Sequence, residues 1–229
     1  MSNNTIILSK LKELKSRYES NLFVTDKSGV KTVELLNMVV DLDPTQPIID
    51  LGFKKTNESY VQKELSWYLS QDLNVYPQMS DITIWIKVCD KDGFINSNYG
   101  WCIFSKENYS QYDYAVNELK NNQSSRRACM MYNRPSMTED YNKNGRSDYI
   151  CTIYTQLFIR DNKLIYNVKQ RSCDAIYGFF NDFAWHCYVY DKVFKDLLLT
   201  YPSLEIGHIN YSIDSFHIYE KHFKFFDNF

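Results

Sequence analysis

Short apolar stripes separated by polar runs organise the chain. "TIILSKLKELKSRY" spaces Ile7, Leu11 and Leu14 at helical intervals, and "YVQKELSWYL" does the same with Val61, Leu65 and Leu69. Each predicts a helix with one buried face. Between them, "NLFVTDKSGVKTVELLNMVVDLD" is rich in β-branched residues around a Lys-Ser-Gly turn signal, the pattern of strands joined by a tight turn. A third helix is expected over "NYSQYDYAVNELKNN". A fourth is expected from about Asp182, with Phe183, Cys187, Tyr190, Phe194 and Leu197 along one stripe. "YICTIYTQLFIRDNKLIYNVKQRSCD" predicts two strands joined by the turn "RDNK". "RSCDAIYGFFND" therefore bridges a strand end and a helix start, where backbone N–H groups are exposed to ligands.

A length of 229 residues and 44% hydrophobic composition fit one globular domain spanning 1–229, and no repeat or low-complexity linker divides it. The net charge of −2 argues against general affinity for nucleic acid but leaves a small anionic ligand open. Six cysteines form no CxxC pair and four histidines no HExxH, so no metal site is expected. The start "MSNNTIILSKLKELKSRYES" has no signal-peptide pattern, and no apolar run is long enough for a bilayer. The expectation is a cytoplasmic protein with reduced cysteines and no membrane partner.

Several residues have both a plain and a chemical reading. Cys151 is either a small buried hydrophobe or a nucleophile, and Arg171 on the neighbouring predicted strand would raise its thiolate fraction. Arg126 and Arg127, and Arg171 with Ser172, are either surface charges or the forked donors and hydroxyl that match a phosphomonoester. Glu64 is either a solvated helix charge or a group that moves protons or positions water. His217 and Tyr219 alternate along a presumed strand and share a face, as sugar-hydroxyl ligands or as ordinary aromatics.

In this order, "ELSWYL", "NYGW", "SSRRACMMYNRP", "YICTIYTQLFI", "RSCDAIYGFFND" and "FHIYEKH" resemble the motif set of the thymidylate synthase family over nearly the whole chain. "NSNYGW", "RPSM", "DYNK" and "NDFAW" resemble its phage-type branch that hydroxymethylates cytosine nucleotides. The resemblance implies a single-domain α+β fold, a large mixed β-sheet packed with helices. It also implies a homodimer acting on dCMP with 5,10-methylenetetrahydrofolate and no metal, within a possible nucleotide-synthesis complex serving phage DNA modification.

Residue by residue, the resemblance makes Cys151 the nucleophile at pyrimidine C6. Arg126 and Arg127 reach the partner subunit's substrate phosphate, while Arg171 and Ser172 hold the phosphate of their own subunit. Lys27 falls where synthases carry another phosphate-binding arginine, with a point charge replacing the fork. Glu64 orders water near the transferred carbon, His217 and Tyr219 hold the ribose 3′-hydroxyl, and Asp174 binds the pterin. Trp85, Tyr99 and Gly178 belong to the folate and nucleophile surroundings. The residue after the nucleophile is Thr152 where synthases have histidine.

Four positions past Gly178 the synthases carry an asparagine that pairs with uracil, and here Asp182 stands, preceded by Asn181. A carboxylate accepts only, so it suits the 4-amino group and a protonated N3 of cytosine. The chain ends soon after "FHIYEKH", without an evident counterpart of the tail with which synthases cover folate. A less sealed site would favour water over hydride as the final reactant. Two alternatives stay open: a reductive pyrimidine methylase on the same fold, and a non-catalytic nucleotide-binding subunit.

Overall fold

The computed structural model describes residues 1–25 and 29–229, so Lys27 lies outside the described residues. Helix α1 (Asn3–Glu19) starts at Ser2, whose side chain accepts from the Thr5 N–H, and it buries Ile7, Leu11 and Leu14 as the stripe predicts. Strands β1 (Val24–Thr25) and β2 (Lys31–Leu42) pair antiparallel on either side of the undescribed residues.

Helix α2 (Glu58–Ser70), capped by Asn57, departs from the expected face. It buries Glu64, Trp67 and Tyr68, while Val61 and Leu65 are half-buried and Leu69 is 41% exposed. Two large rings remove more apolar area from water than the aliphatic stripe does. Glu64 can follow them inward because the Tyr60 hydroxyl, one turn earlier, donates to it at 2.7 Å.

Short helices α3 (Tyr76–Met79), α4 (Thr83–Val88) and α5 (Tyr99–Phe104) follow, then α6 (Gln111–Asn121), β3 (Cys129–Met131) and α7 (Met137–Asp140). At Gly100 the backbones of α5 and α2 touch: a Cβ there would lie 1.9 Å from the Tyr68 carbonyl oxygen. This closeness lets Tyr68 and Tyr99 stack, with centroids 5.2 Å apart and planes 9° off parallel.

Strands β4 (Thr152–Arg160) and β5 (Lys163–Gln170) form the predicted hairpin. Its turn residues Asp161 and Asn162 both take positive φ (48° and 59°), the backbone that a two-residue hairpin requires. After the two-residue strand β6 (Cys173–Asp174), helix α8 begins at Gly178 rather than at Asp182 and runs to Leu198. All the predicted stripe residues except the half-buried Phe194 are buried. Strand β7 (Glu205–Tyr219) closes the sheet.

Among the described residues the strands run β1-β2-β7-β5-β4-β3, with β6 also on β7. β7 pairs parallel with β5 and β6 and antiparallel with β2, so the sheet is mixed. One face carries the core, through Leu157, Tyr166, Val168, Tyr211 and Val40, against the helices. Buried parity slips beside Cys151, where a bulge lies between Thr152 and Tyr154, and along β2, where Asn37 takes φ 55°. Such irregularities bend a sheet and re-aim side chains at its end.

Candidate active site

Cys151 sits one residue before β4 and Arg171 one after β5, and the Arg171 N–H donates to the Cys151 carbonyl at 2.9 Å. Hairpin register thus brings together the two residues that the sequence placed on neighbouring strands. β5 and β6 run along β7 on either side of Arg171 and Ser172, so these two occupy a break in the pairing. The Arg171 guanidinium donates to the carbonyls of Tyr149 and Ile150 and to Ser172 Oγ (3.3 Å), and it stacks 4.9 Å from the Tyr149 ring.

The expected rise in thiolate fraction is reversed. Burial pushes the Cys151 thiol up to about 11, and the nearby Asp182 charge pushes the same way. Arg171 and the Ser172 hydroxyl oppose this without overcoming it, and Arg171 already spends much of its fork on backbone carbonyls.

Two neighbouring acids lie on the helical side, and the Asp182 charge acts on both the thiol and Glu64. Burial pushes Glu64 up to about 8, with the Asp182 charge adding to it and hydrogen bonds from Tyr60, Tyr68 and Trp85 opposing. Trp85 Nε1 donates to the Tyr60 hydroxyl at 3.1 Å, so α4, α2 and the acid form one chain of bonds. Burial also raises Asp182, to about 7, against a 2.7 Å hydrogen bond donated by Gln170. A pair of neighbouring acids, both displaced upward, can hold or release a proton near neutral pH.

Behind them lies a buried polar layer. Gln170 Nε2 donates to Thr152 Oγ1 at 3.2 Å as well as to Asp182, and Thr152 donates to the Tyr99 hydroxyl at 3.1 Å. His186, fully enclosed on α8 and pushed down to about 3 by burial, has Nε2 3.5 Å from Thr152 Oγ1 and Nδ1 3.3 Å from the Tyr166 hydroxyl. A histidine thus meets Thr152 from the helix.

At the other end, His217 Nδ1 donates to the Ser215 carbonyl at 3.2 Å, and burial keeps the ring neutral. That tautomer leaves Nε2 as an acceptor for a hydroxyl. Tyr219 shares its face, ring to ring at 4.7 Å. Asp174 Oδ1 accepts from the N–H groups of Ile176 and Tyr177 just ahead of Gly178 at the start of α8. Asn181 lines a narrow cleft with Glu64, Leu65 and Tyr68, whereas Asp182 takes the Gln170 bond.

Arg126 and Arg127 stand apart. Both are exposed before the edge strand β3, and Arg127 pairs with Glu118 at 2.9 Å. Tyr60, Tyr68, Gln170 and His186 escaped the sequence reading. Tyr60 had a usable signal, its spacing of four from Glu64 on one helix; the others are joined to the site by sheet register and helix packing. No group of three or more His, Cys, Asp or Glu among the described residues is placed to hold a metal ion. No described helix is long and apolar enough to cross a membrane.

A family model described as thymidylate synthase matches residues 12–228. The chain belongs to the thymidylate synthase family. It is 44% identical over 209 residues to proteins named deoxycytidylate 5-hydroxymethyltransferase from Enterobacteria phages T4 and T6, covering 90% of this chain and 83% of each of those. It is 27% identical over 210 residues to a thymidylate synthase of Francisella philomiragia, covering 87% of this chain and 75% of that one. In fold it is similar to the thermostable thymidylate synthase A of Bacillus subtilis, with a TM-score of 0.74 at 23% identity over 100% of this chain and 84% of that one.

Proposed function

We propose that this chain transfers a one-carbon unit from 5,10-methylenetetrahydrofolate to C5 of dCMP with hydration, giving 5-hydroxymethyl-dCMP and tetrahydrofolate. The observation that carries this reading is an acid, Asp182, facing the candidate nucleophile Cys151 where the family's synthases carry an amide. An acid can give a proton to N3 of cytosine and accept from its 4-amino group.

Cys151 adds to C6 of the base as the thiolate while Asp182 supplies the N3 proton, which makes C5 nucleophilic. After the carbon is transferred C5 loses its proton, and once water has added, the S–C6 bond breaks to release the thiolate and N3 returns its proton to Asp182. Arg171 and Ser172 hold the phosphate, and His217 Nε2 with Tyr219 holds the 3′-hydroxyl. Trp85, Tyr99, Asp174 and Gly178 would hold the folate; the half-buried Trp85 ring and the Asp174 carboxylate offer the aromatic wall and acceptor that a pterin needs. When bound, folate supplies the methylene carbon. Glu64, beside the cleft and able to exchange a proton near neutral pH, positions the water that completes the hydroxymethyl group.

Arg126 and Arg127 are assigned to the phosphate of a second copy. Leu36 (65% exposed) and Val39 (54%) on β2 and Met131 (45%) on β3 suit a homodimer joined through the sheet. The enzyme would act in the host cytoplasm. Mass spectrometry of the nucleotide product tests the proposal: gain of CH2O on dCMP supports it, while gain of CH2, formation of dihydrofolate or preference for dUMP overturns it.

A further inference from the structure

Asp182 leaves base choice unfinished if the reaction is as proposed, on which this inference rests. A carboxylic acid that can carry its proton on either oxygen matches cytosine in one arrangement and uracil in the other. Cytosine offers an acceptor at N3 and a donor at N4; uracil offers the reverse. Burial holds Asp182 near 7, so much of it is protonated at neutral pH. Something must fix which oxygen keeps the proton.

We propose that Gln170 is a specificity-determining positioning residue: by donating from Nε2 to Asp182 Oδ2 it reserves that oxygen as an acceptor and confines any carboxyl proton to Oδ1. Gln170 is fully buried, and both of its amide hydrogens are spent, one on Asp182 Oδ2 (2.7 Å) and one on Thr152 Oγ1 (3.2 Å). Thr152 commits its own hydrogen to the Tyr99 hydroxyl at 3.1 Å, so it offers the amide a lone pair. Turning the amide over would set Oε1 against both oxygens. The chosen orientation leaves Oε1 buried without a partner, an unsatisfied group tolerated to keep the donors aimed. Protonated Asp182 then presents one donor and one acceptor in fixed order; with Oδ1 toward N3 and Oδ2 toward the 4-substituent, as the proposal requires, that order matches cytosine and clashes twice with uracil.

Other groups face Asp182: Tyr60, Glu64 and Tyr68 from α2, Tyr99 from α5, Cys151 before β4, Cys173 from β6 and Tyr211 from β7. A ratio of affinities cancels what acts alike on both bases, such as the nucleotide phosphate. Glu64, held near 8 and coupled to Asp182, titrates in the same range, so the ratio is also read in Glu64→Gln, where the pH dependence should remain.

The test measures dissociation constants of dCMP and dUMP for the full chain by calorimetry without folate, from about pH 8 to about pH 6. With the proton confined to Oδ1, acidification through the Asp182 range tightens dCMP alone, and the preference for dCMP grows roughly tenfold. Parallel tightening of dUMP by the wild-type chain overturns the proposal, and this needs no variant. In Gln170→Met and Gln170→Leu the preference at about pH 6 should fall roughly tenfold, and the pH at which it changes should rise, because a donor that holds Asp182 down is gone. Variants that weaken both nucleotides equally, with ratio and pH dependence unmoved, mark Gln170 as merely structural and also overturn it. Failure of the wild-type chain to make hydroxymethylated product bears on the proposed function alone, since these ratios involve binding only.

Discussion

Replacing Glu64 by glutamine should make the protein more stable while abolishing hydroxymethylation. Glu64 is 5% exposed, and burial holds its acid near 8 instead of 4.5. Between those values the folded chain keeps a proton that the unfolded chain has lost, so stability falls as pH rises, by about 1.4 kcal/mol per pH unit at most. From about pH 5 to about pH 8 this residue withdraws up to ~4 kcal/mol, a large fraction of the stability of an ordinary domain. Glutamine has the same shape, still accepts from the Tyr60 hydroxyl and never ionises. Urea unfolding of both chains across that range should show little difference at the acid end. The variant should gain about 2–4 kcal/mol at the alkaline end, the lower figure allowing for water entering the site. A variant that is equally stable at both ends, or less stable at high pH, would refute the claim that Glu64 is held protonated by burial.

Other outcomes follow from the same site. Asp182→Asn should shift base preference from dCMP toward dUMP by one to two decades, since a mismatched buried partner costs ~1–3 kcal/mol; competition between the nucleotides reads this directly. The same substitution removes a charge that raises the Cys151 thiol, so alkylation of Cys151 by iodoacetamide near neutral pH should speed up; an unchanged rate would mean that Asp182 does not act on the thiol. Cys151→Ser should lose turnover yet bind dCMP with unchanged affinity in calorimetry. Mixing Cys151→Ala chains with chains lacking both Arg126 and Arg127 should restore up to about a quarter of wild-type turnover if the arginines serve the partner's site, and none if each site is self-contained.

Local patterns were legible where one physical cause dominated. The α1 stripe, the α6 helix and the β4–β5 hairpin follow from apolar spacing and turn chemistry alone. α2 did not, because hydropathy counts Glu64 as a surface residue and cannot see that Tyr60 and Trp85 satisfy it inside. The apolar stripe that starts at Phe183 predicts α8 from about Asp182, whereas the helix already begins at Gly178 because Phe179 and Phe180 are buried in its first turn. The motif order pointed to Cys151, Arg171 and Asp182, whereas the layer of Thr152, Gln170, Tyr99 and His186 depends on parallel and antiparallel register among strands far apart in sequence. The upward displacement of the Cys151 thiol was invisible for a related reason: sequence shows a nearby arginine but not the burial, nor the Asp182 charge brought in by α8, that outweigh it.

The meeting of α5 and α2 at Gly100 bears on how this protein could be re-engineered. Most parts of the pocket are held by side chains, so a damaged contact can be mended by changing its neighbour. At position 100 the obstacle to even a methyl group is the Tyr68 carbonyl itself, and no neighbouring substitution can make that oxygen retreat. A library selected for a new base or a bulkier one-carbon donor is therefore expected to diversify around Asp182 and Trp85 while position 100 stays glycine. The stacked Tyr68 and Tyr99 rings would form the fixed wall against which any new specificity is built.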